Sequence, residues 1–304
     1  MTLQAGGIEV IDLMLLGKPK AVAAGLIRGP GGLAIVDPGP TSSLAGLRAG
    51  LTERGAAVAD VDAILVTHVH LDHSGGVGVL VGENPEIAVY VHERGARHLA
   101  DPRRLVESAT KIYGEHMDRL WGTVLPVPDA NLRRLAGGER FEAVPGRTIE
   151  AVYTPGHATH HVSYFDSASG ILFAGDSAGV RAADCDYLLP PTPPPDIDVE
   201  AWSESIERMA ALGPSWLFVT HFGLLDSAAE RLLEFRERLL FFAGAVRDSF
   251  QAGESDAERI RRFRSVVGED LRRHLSDEQA ALYDSAMSLD TCWHGLARYW
   301  RNRA

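Results

Sequence analysis

Between Val66 and Gly76 the chain reads Val-Thr-His-Val-His-Leu-Asp-His-Ser-Gly-Gly, so His68, His70, Asp72 and His73 fall within six residues directly after an apolar run. Imidazole nitrogens and carboxylate oxygens at this density are the donor set of a divalent cation site. His68 and His70 are two apart, so a brief continuation of the preceding strand points both the same way and lets them grip one ion. Asp72 and His73 follow in a turn that Ser74, Gly75 and Gly76 permit, where they can face a second position close by.

The same context recurs three times. Tyr153-Thr154-Pro155-Gly156-His157 places a histidine in a tight turn, Phe173-Ala174-Gly175-Asp176 a carboxylate, and Phe218-Val219-Thr220-His221 a last histidine. Singly each is ordinary, since a Gly-Asp after a strand is usually a turn and a lone histidine usually bonds to backbone. Together, in order along the chain, they bring four strand ends to one chemistry.

Short strands and connecting helices must position these residues. Val61 to Val66 reads as a buried strand, and strand C-termini are where α/β proteins commonly place chemistry. Ile8 to Met14, Ala21 to Arg28 and Leu33 to Val36 are β-like, and Leu44, Leu47 and Leu51 have helical spacing before Gly55. Ile87 to Val91 is another strand, Arg94 to Trp121 has helix-like stretches, and Pro126 and Pro128 mark a return to β structure. Thr148 to Tyr153, Val162 to Phe165, Ile171 to Ala174 and Trp216 to Val219 are further strand candidates. Pro190 to Pro195 is an extended crossing loop, and Trp202, Ile206 and Met209 form a helical stripe ending at Gly213-Pro214.

Past Asp226 the β-like runs stop. Ser227 with Glu230, Ser255 with Glu258 and Ser276 with Gln279 are capping-box signatures, and the C-terminal quarter reads as helical. Ile260, Phe263, Val267 and Leu271 share one face, as do Trp293, Leu296, Ala297 and Trp300. The expected organisation is a domain over 1–225 and a helical extension over 226–304 packed on it.

With 304 residues and 45% hydrophobic content the chain can bury a substantial core, and its apolar stretches fall short of the ~20 residues a membrane span needs. Residues 1–10 have no basic start with an unbroken apolar core, so no secretory signal is expected. Cys185 and Cys292 are the only cysteines and lie far apart, which fits a reducing cytoplasm. A net charge of −11 repels polyanions and disfavours nucleic acid as partner. The expected partner is a small molecule, without nucleic acid or membrane; a homo-oligomer is compatible.

His68-Val69-His70-Leu71-Asp72-His73 followed by His157, Asp176 and His221 resembles the metallo-β-lactamase superfamily, whose motif is His-x-His-x-Asp-His, then His, Asp and His. The match covers about the first 225 residues and is complete in its ligands. The resemblance implies an α/β fold, an αββα sandwich of two mixed sheets with helices outside. It also implies that His68, His70 and His157 hold one metal, Asp72, His73 and His221 a second, and Asp176 bridges them. Nitrogen and oxygen ligation without cysteine suits zinc, with iron or manganese also acceptable. The implied reaction is hydrolysis of a small carbonyl ester by a hydroxide generated between two ions, with Asp72 orienting the nucleophile or moving its proton.

Within that superfamily, true β-lactamases lack the bridging aspartate, so Asp176 disfavours them. Glyoxalase II and the persulfide dioxygenases usually follow their Gly-Asp with Gly-Cys-Gly-Arg, where this chain has Ser177-Ala178-Gly179-Val180-Arg181. Thr154-Pro155-Gly156-His157 followed by His160 and His161 is also similar to the quorum-signal lactonases, which use a tyrosine beside the metals; Tyr113 and Tyr187 are candidates for that role. His160 and His161 are expected to hydrogen-bond near the site. Segment 100–125 and the C-terminal helices are candidate substrate walls, through Tyr113, His116, Trp121, Tyr283, Trp293 and His294. Trp293 and Trp300 read more simply as helix core. A thioester or lactone hydrolase is the leading expectation; an iron-dependent sulfur dioxygenase, a phosphodiesterase and a metal-dependent sensor without turnover are the alternatives.

Overall fold

The computed structural model of the chain describes residues 4–250 and 253–303, so the expectation of no leader at the N-terminus falls partly outside the described residues, at 1–3. Among the described residues one sheet runs in chain order through β1 (Gln4–Ala5), β2 (Ile8–Asp12), β3 (Ala23–Gly29), β4 (Gly32–Val36), β5 (Val61–Leu65), β6 (Ala88–His92) and β7 (Leu132–Leu135). Pairing is antiparallel from β1 to β4 and parallel from β4 to β7. The second sheet runs through β8 (Arg140–Val144), β9 (Arg147–Tyr153), β10 (Val162–Asp166), β11 (Ile171–Phe173), β12 (Trp216–Val219) and β13 (Gly223–Leu225). There only β11 and β12 are parallel, joined by a crossover that contains a helix.

Side chains alternating across each strand sort themselves into three apolar layers. Leu33 and Ile35 of β4 turn outward onto α1 (Leu44–Thr52), meeting Leu44, Leu47 and Leu51. Their neighbours Ala34 and Val36 turn inward and pack between the sheets with Tyr164, Phe173 and Phe218. Beyond the second sheet, Leu172, Leu217 and Val219 meet Trp202, Ile206 and Met209. Helices α2 (Leu71–Ser74), α3 (Val77–Glu83), α4 (Glu93–Ala100), α5 (Arg103–Tyr113) and α6 (Met117–Leu120) interrupt the first sheet, and α7 (Val199–Ala211) carries that tryptophan stripe. Three cores thus separate four layers, the αββα arrangement the resemblance implied.

After the last strand come α8 (Ala228–Ser249), α9 (Asp256–His274), α10 (Asp277–Ala286) and α11 (Leu289–Arg301). The expected stripes are buried: Phe263, Val267 and Leu271 of α9 and Trp293, Leu296 and Ala297 of α11 join the same core as α7 and the second sheet. These helices therefore cover the outer face of that sheet and share its core. No helix among the described residues is long and apolar enough to cross a membrane.

Two readings need correction. β1 and β13 were not expected, and the return to β structure after Pro128 came without bounds for β7 and β8: β7 exposes the neighbouring Arg133 and Arg134 on opposite faces at an edge, which hides the alternation, and β13 has three residues. The Ser227–Glu230 box is also absent, because Ser227 sits in the left-handed region at φ 54° and its side chain caps nothing. A capping serine needs extended backbone, which Ser255 and Ser276 have, and both of their boxes are formed.

Candidate metal centre

Each functional side chain hangs from the C-terminal end of a strand. Past β5 the chain bends at Thr67, then coils into α2 at Leu71, with His70 extended at its N-cap. That single helical turn, rather than a glycine turn, places Asp72 and His73 on the inner side. His157 follows β9 behind Gly156, whose φ is 140° and where any Cβ would collide with the Cα and Cβ of Trp202 in α7. Asp176 lies in a 3-10 turn after β11, and His221 follows β12.

The structure brings all seven expected residues together in three overlapping groups: His68, His70 and His157; His68, His73 and Asp176; Asp72, His73 and His221. His70 Nδ1 lies 2.9 Å from His68 Nε2 and 3.1 Å from His157 Nε2. Asp176 reaches both ends, with Oδ2 3.5 Å from His157 Nε2 and Oδ1 3.3 Å from His73 Nε2 and 3.8 Å from His221 Nε2. Asp72 Oδ2 lies 3.4 Å from His221 Nε2 and 3.9 Å from His73 Nε2.

Partners outside the centre decide which ring nitrogens carry protons. His157 Nδ1 donates to the Pro191 carbonyl at 2.8 Å, His221 Nδ1 to the Ala21 carbonyl at 2.9 Å, and His73 Nδ1 to Asp37 Oδ2 at 2.8 Å. Thr67 Oγ1 gives its proton to Asp37 Oδ2, leaving its oxygen to accept from His68 Nδ1 at 3.1 Å. In the neutral ring the other nitrogen is then a lone pair, so four Nε2 atoms point lone pairs inward. His73 Nε2, His221 Nε2 and Asp176 Oδ1 are buried without a hydrogen-bond partner. Converging lone pairs and orphaned buried acceptors fit a divalent cation in each position.

Electrostatics divides the two positions. Burial lowers His68 and His70 from the usual 6.5, His70 to about 4, and neighbouring imidazoles push the same way. Burial also lowers His157 despite Asp176. For His73 burial alone would do the same, but Asp176, Asp72 and Asp37 outweigh it and hold the ring well above its usual value. His221 is likewise raised against its burial, by Asp72 and Asp176. Burial would raise Asp72 and Asp176, yet His73 and His221 hold both well below the carboxylate range. The second group needs positive charge between its carboxylates, supplied by protons or by a metal.

Asp37, directly after β4, was not among the expected site residues. It is fully buried; Oδ1 accepts Thr67 N–H at 2.8 Å, and Oδ2 accepts Thr67 Oγ1, His73 Nδ1 and Thr220 Oγ1 at 2.7 to 2.8 Å. Its signal was available: Leu33 to Val36 followed by Asp37-Pro38-Gly39 has the strand-then-carboxylate form of Asp176. The Pro190 to Pro195 loop, whose Pro191 carbonyl orients His157, is pinned on its far side by α11. Thr192 Oγ1 donates to the Cys292 carbonyl at 3.0 Å, and only glycine fits at 295, where a Cβ would strike the Thr192 carbonyl.

The other expected residues separate. His160 Nδ1 accepts Val69 N–H at 3.4 Å and His161 Nδ1 pairs with Thr154 Oγ1 at 2.9 Å. Tyr113 packs edge-on against Trp121 at 5.2 Å, and burial with the nearby Asp72 charge pushes its hydroxyl up to about 12. Tyr187 is placed elsewhere, in the core under the C-terminal helices, where its hydroxyl donates to Asp270 at 2.7 Å beneath Arg238. Tyr283 and Trp293 are fully buried there, whereas His116 and His294 are exposed.

The sequence profile of the Metallo-beta-lactamase superfamily matches residues 17–221. A metallo-beta-lactamase fold-containing protein of Sulfurisphaera tokodaii is 32% identical over 169 residues, 55% of this chain and 62% of that protein. A hydroxyacylglutathione hydrolase of Aeromonas hydrophila is 29% identical over 188 residues, 62% of this chain and 55% of that enzyme. Both matches span less than two thirds of the relative's length. Among solved structures, a metallo-beta-lactamase family protein of Thermus thermophilus superposes with a TM-score of 0.72 over 98% of this chain and 94% of that one, at 22% identity. That likeness of fold takes in the C-terminal helices.

Proposed function

Because this chain belongs to the metallo-beta-lactamase superfamily, we propose that it is a metal-dependent hydrolase with a dinuclear centre that cleaves a small carbonyl ester, a thioester or a lactone. The observation that carries this reading is Asp176, one buried carboxylate whose two oxygens face two different histidine groups. His68, His70 and His157 would hold one ion and Asp72, His73 and His221 the other, with zinc the best match to nitrogen and oxygen donors. Two such ions supply Lewis acidity and a hydroxide at neutral pH, which removes the need for a serine or cysteine nucleophile.

The chain's own residues do the rest. Asp72 is partly exposed and held ionised, so it can accept a hydrogen bond from an attacking water and take its proton on the open side of the centre. Asp37, Pro191 and Ala21 fix the rings so that the inward nitrogens need no reorganisation. Tyr113, whose hydroxyl stays protonated near Asp72, would donate to a substrate oxygen. The Aeromonas relative, named for hydrolysis of an acylated thiol, favours the thioester over the lactone.

Replacing Asp176 or His70 with alanine and measuring bound metal together with hydrolysis of thioester, lactone and phosphodiester panels tests this. The expected result is loss of metal and at least a hundredfold loss of thioester or lactone turnover. Unchanged metal and turnover in both variants, or wild-type activity confined to phosphodiesters, would overturn it.

A further inference from the structure

Helix α8 is covered on one side only. Leu232, Phe235, Leu239, Phe242 and Val246 turn into the core that it shares with α7 and the second sheet. On the opposite side Leu233 is 59% exposed, Leu240 47% and Phe241 38%. At about 3.6 residues per turn, Leu233, Leu240 and Gly244 fall on one line along the helix, with Phe241 beside it, at the spacing of a coiled-coil seam.

Gly244 gives that line a second signature. Glycine weakens a helix interior, so its presence there asks for a close neighbour. Gly295 of α11 has one, since a Cβ would strike the Thr192 carbonyl, whereas at Gly244, inside a 22-residue helix, a Cβ would meet nothing within 4 Å. The notch beside Leu240 admits a second helix at short distance, which no described part of its own chain supplies. The edges state what that helix carries. Glu237 and Asp248 lie along one edge of the line, Arg236 and Arg247 along the other, where Glu207 and Asp248 hold the two cations at 3.0 Å.

Two copies of the chain related by a two-fold axis along α8 set each acidic edge against the other's basic edge, Glu237 beside Arg236 and Asp248 beside Arg247. Antiparallel copies would oppose acid to acid and base to base. We propose that this face of α8 is a homodimer interface, in which parallel α8 helices meet at Leu233, Leu240 and Gly244 across the two-fold axis. Glu237, exposed and without an ion pair among the described residues, gains one there. None of the seven candidate ligands lies on α8, so the interface is independent of the chemistry proposed above.

Sedimentation of the full chain at micromolar concentration tests this with Leu240→Glu and Gly244→Gln, the second of which fills open space on its own helix and so keeps the fold. The expected result is a wild-type dimer whose dissociation constant rises about tenfold or more in each folded variant. Orientation is read from Gly244→Cys, because Cys185 and Cys292 are buried and leave the new thiol as the accessible one. Parallel helices bring the two new thiols together, so mild oxidation should link the copies much faster than it links Thr52→Cys, a control on exposed surface of α1. A monomeric wild type, an oligomer equally stable in every folded variant, or linking no faster than in the control overturns the proposal.

Discussion

Asp37 and His73 lie 36 residues apart, yet the carboxylate of one accepts the Nδ1 proton of the other at 2.8 Å in a fully buried contact. That bond aims His73 Nε2 at Asp72 and Asp176. Asp37→Asn keeps the volume but presents a weaker acceptor to Thr67, His73 and Thr220. It should lower affinity at the second position about 10–100-fold, leaving chains with one tightly held metal. Metal analysis after dialysis against a graded chelator checks this; two equally retained metals would contradict it.

Acid should empty the two positions in order. A metal must displace a proton from any ring that is protonated in the free protein. His73 is raised well above 6.5 and His221 above it, so protons already compete there at that pH, whereas His70 does not protonate until about 4. Between those limits the protein should fall from two metals to one. Metal content of samples equilibrated across this range is the measurement, and simultaneous loss of both ions would refute the ordering.

Gly156→Ala should damage both fold and site. The new Cβ meets the backbone of α7 at Trp202, and φ is 140°, so strain and overpacking together cost about 2–6 kcal/mol. Because His157 is the next residue, the first metal position should weaken as well. A variant with wild-type melting temperature and metal content would show that the contact relaxes freely.

Much of the centre was legible because its ligands follow strand ends. His68 to His73 declared themselves by local spacing, and His157, Asp176 and His221 by their repeated context. Their supports did not, since the Ala21 carbonyl lies 200 residues from His221 and the Pro191 carbonyl 34 from His157. Backbone carbonyls have no residue signature, and β7 and β13 carry too few alternating positions to announce a strand. The sheets were thus visible through their buried middle strands and hidden at the edges.

The two serine caps offer a contrast in stability. Ser255→Ala removes a formed capping box and should cost about 0.5–2 kcal/mol. Ser227→Gly removes nothing from the cap of α8 and relieves a left-handed serine, so it should be neutral or mildly stabilising. Chemical denaturation of both variants decides; equal destabilisation would mean that Ser227 caps its helix after all.

Tyr187 and Tyr113 should separate by what they change. Tyr187→Phe loses a hydrogen bond to a carboxylate and should cost about 1.5–3 kcal/mol of stability with metal content unaltered. Tyr113→Phe should retain stability and lose turnover. The opposite pattern would exchange their roles.

The Pro190 to Pro195 loop is held on one side by His157 and on the other by α11, through Thr192, Cys292 and the bare backbone of Gly295. If the group of His68, His70 and His157 holds a metal as proposed, its occupancy and order at the C-terminal helix are linked, and linkage is reciprocal. Withdrawing the ion should quicken amide exchange in α11, and loosening α11, for example with Gly295→Ala, should raise the dissociation constant for the metal. The last helix would then report on the metal from the far side of a proline-rich loop.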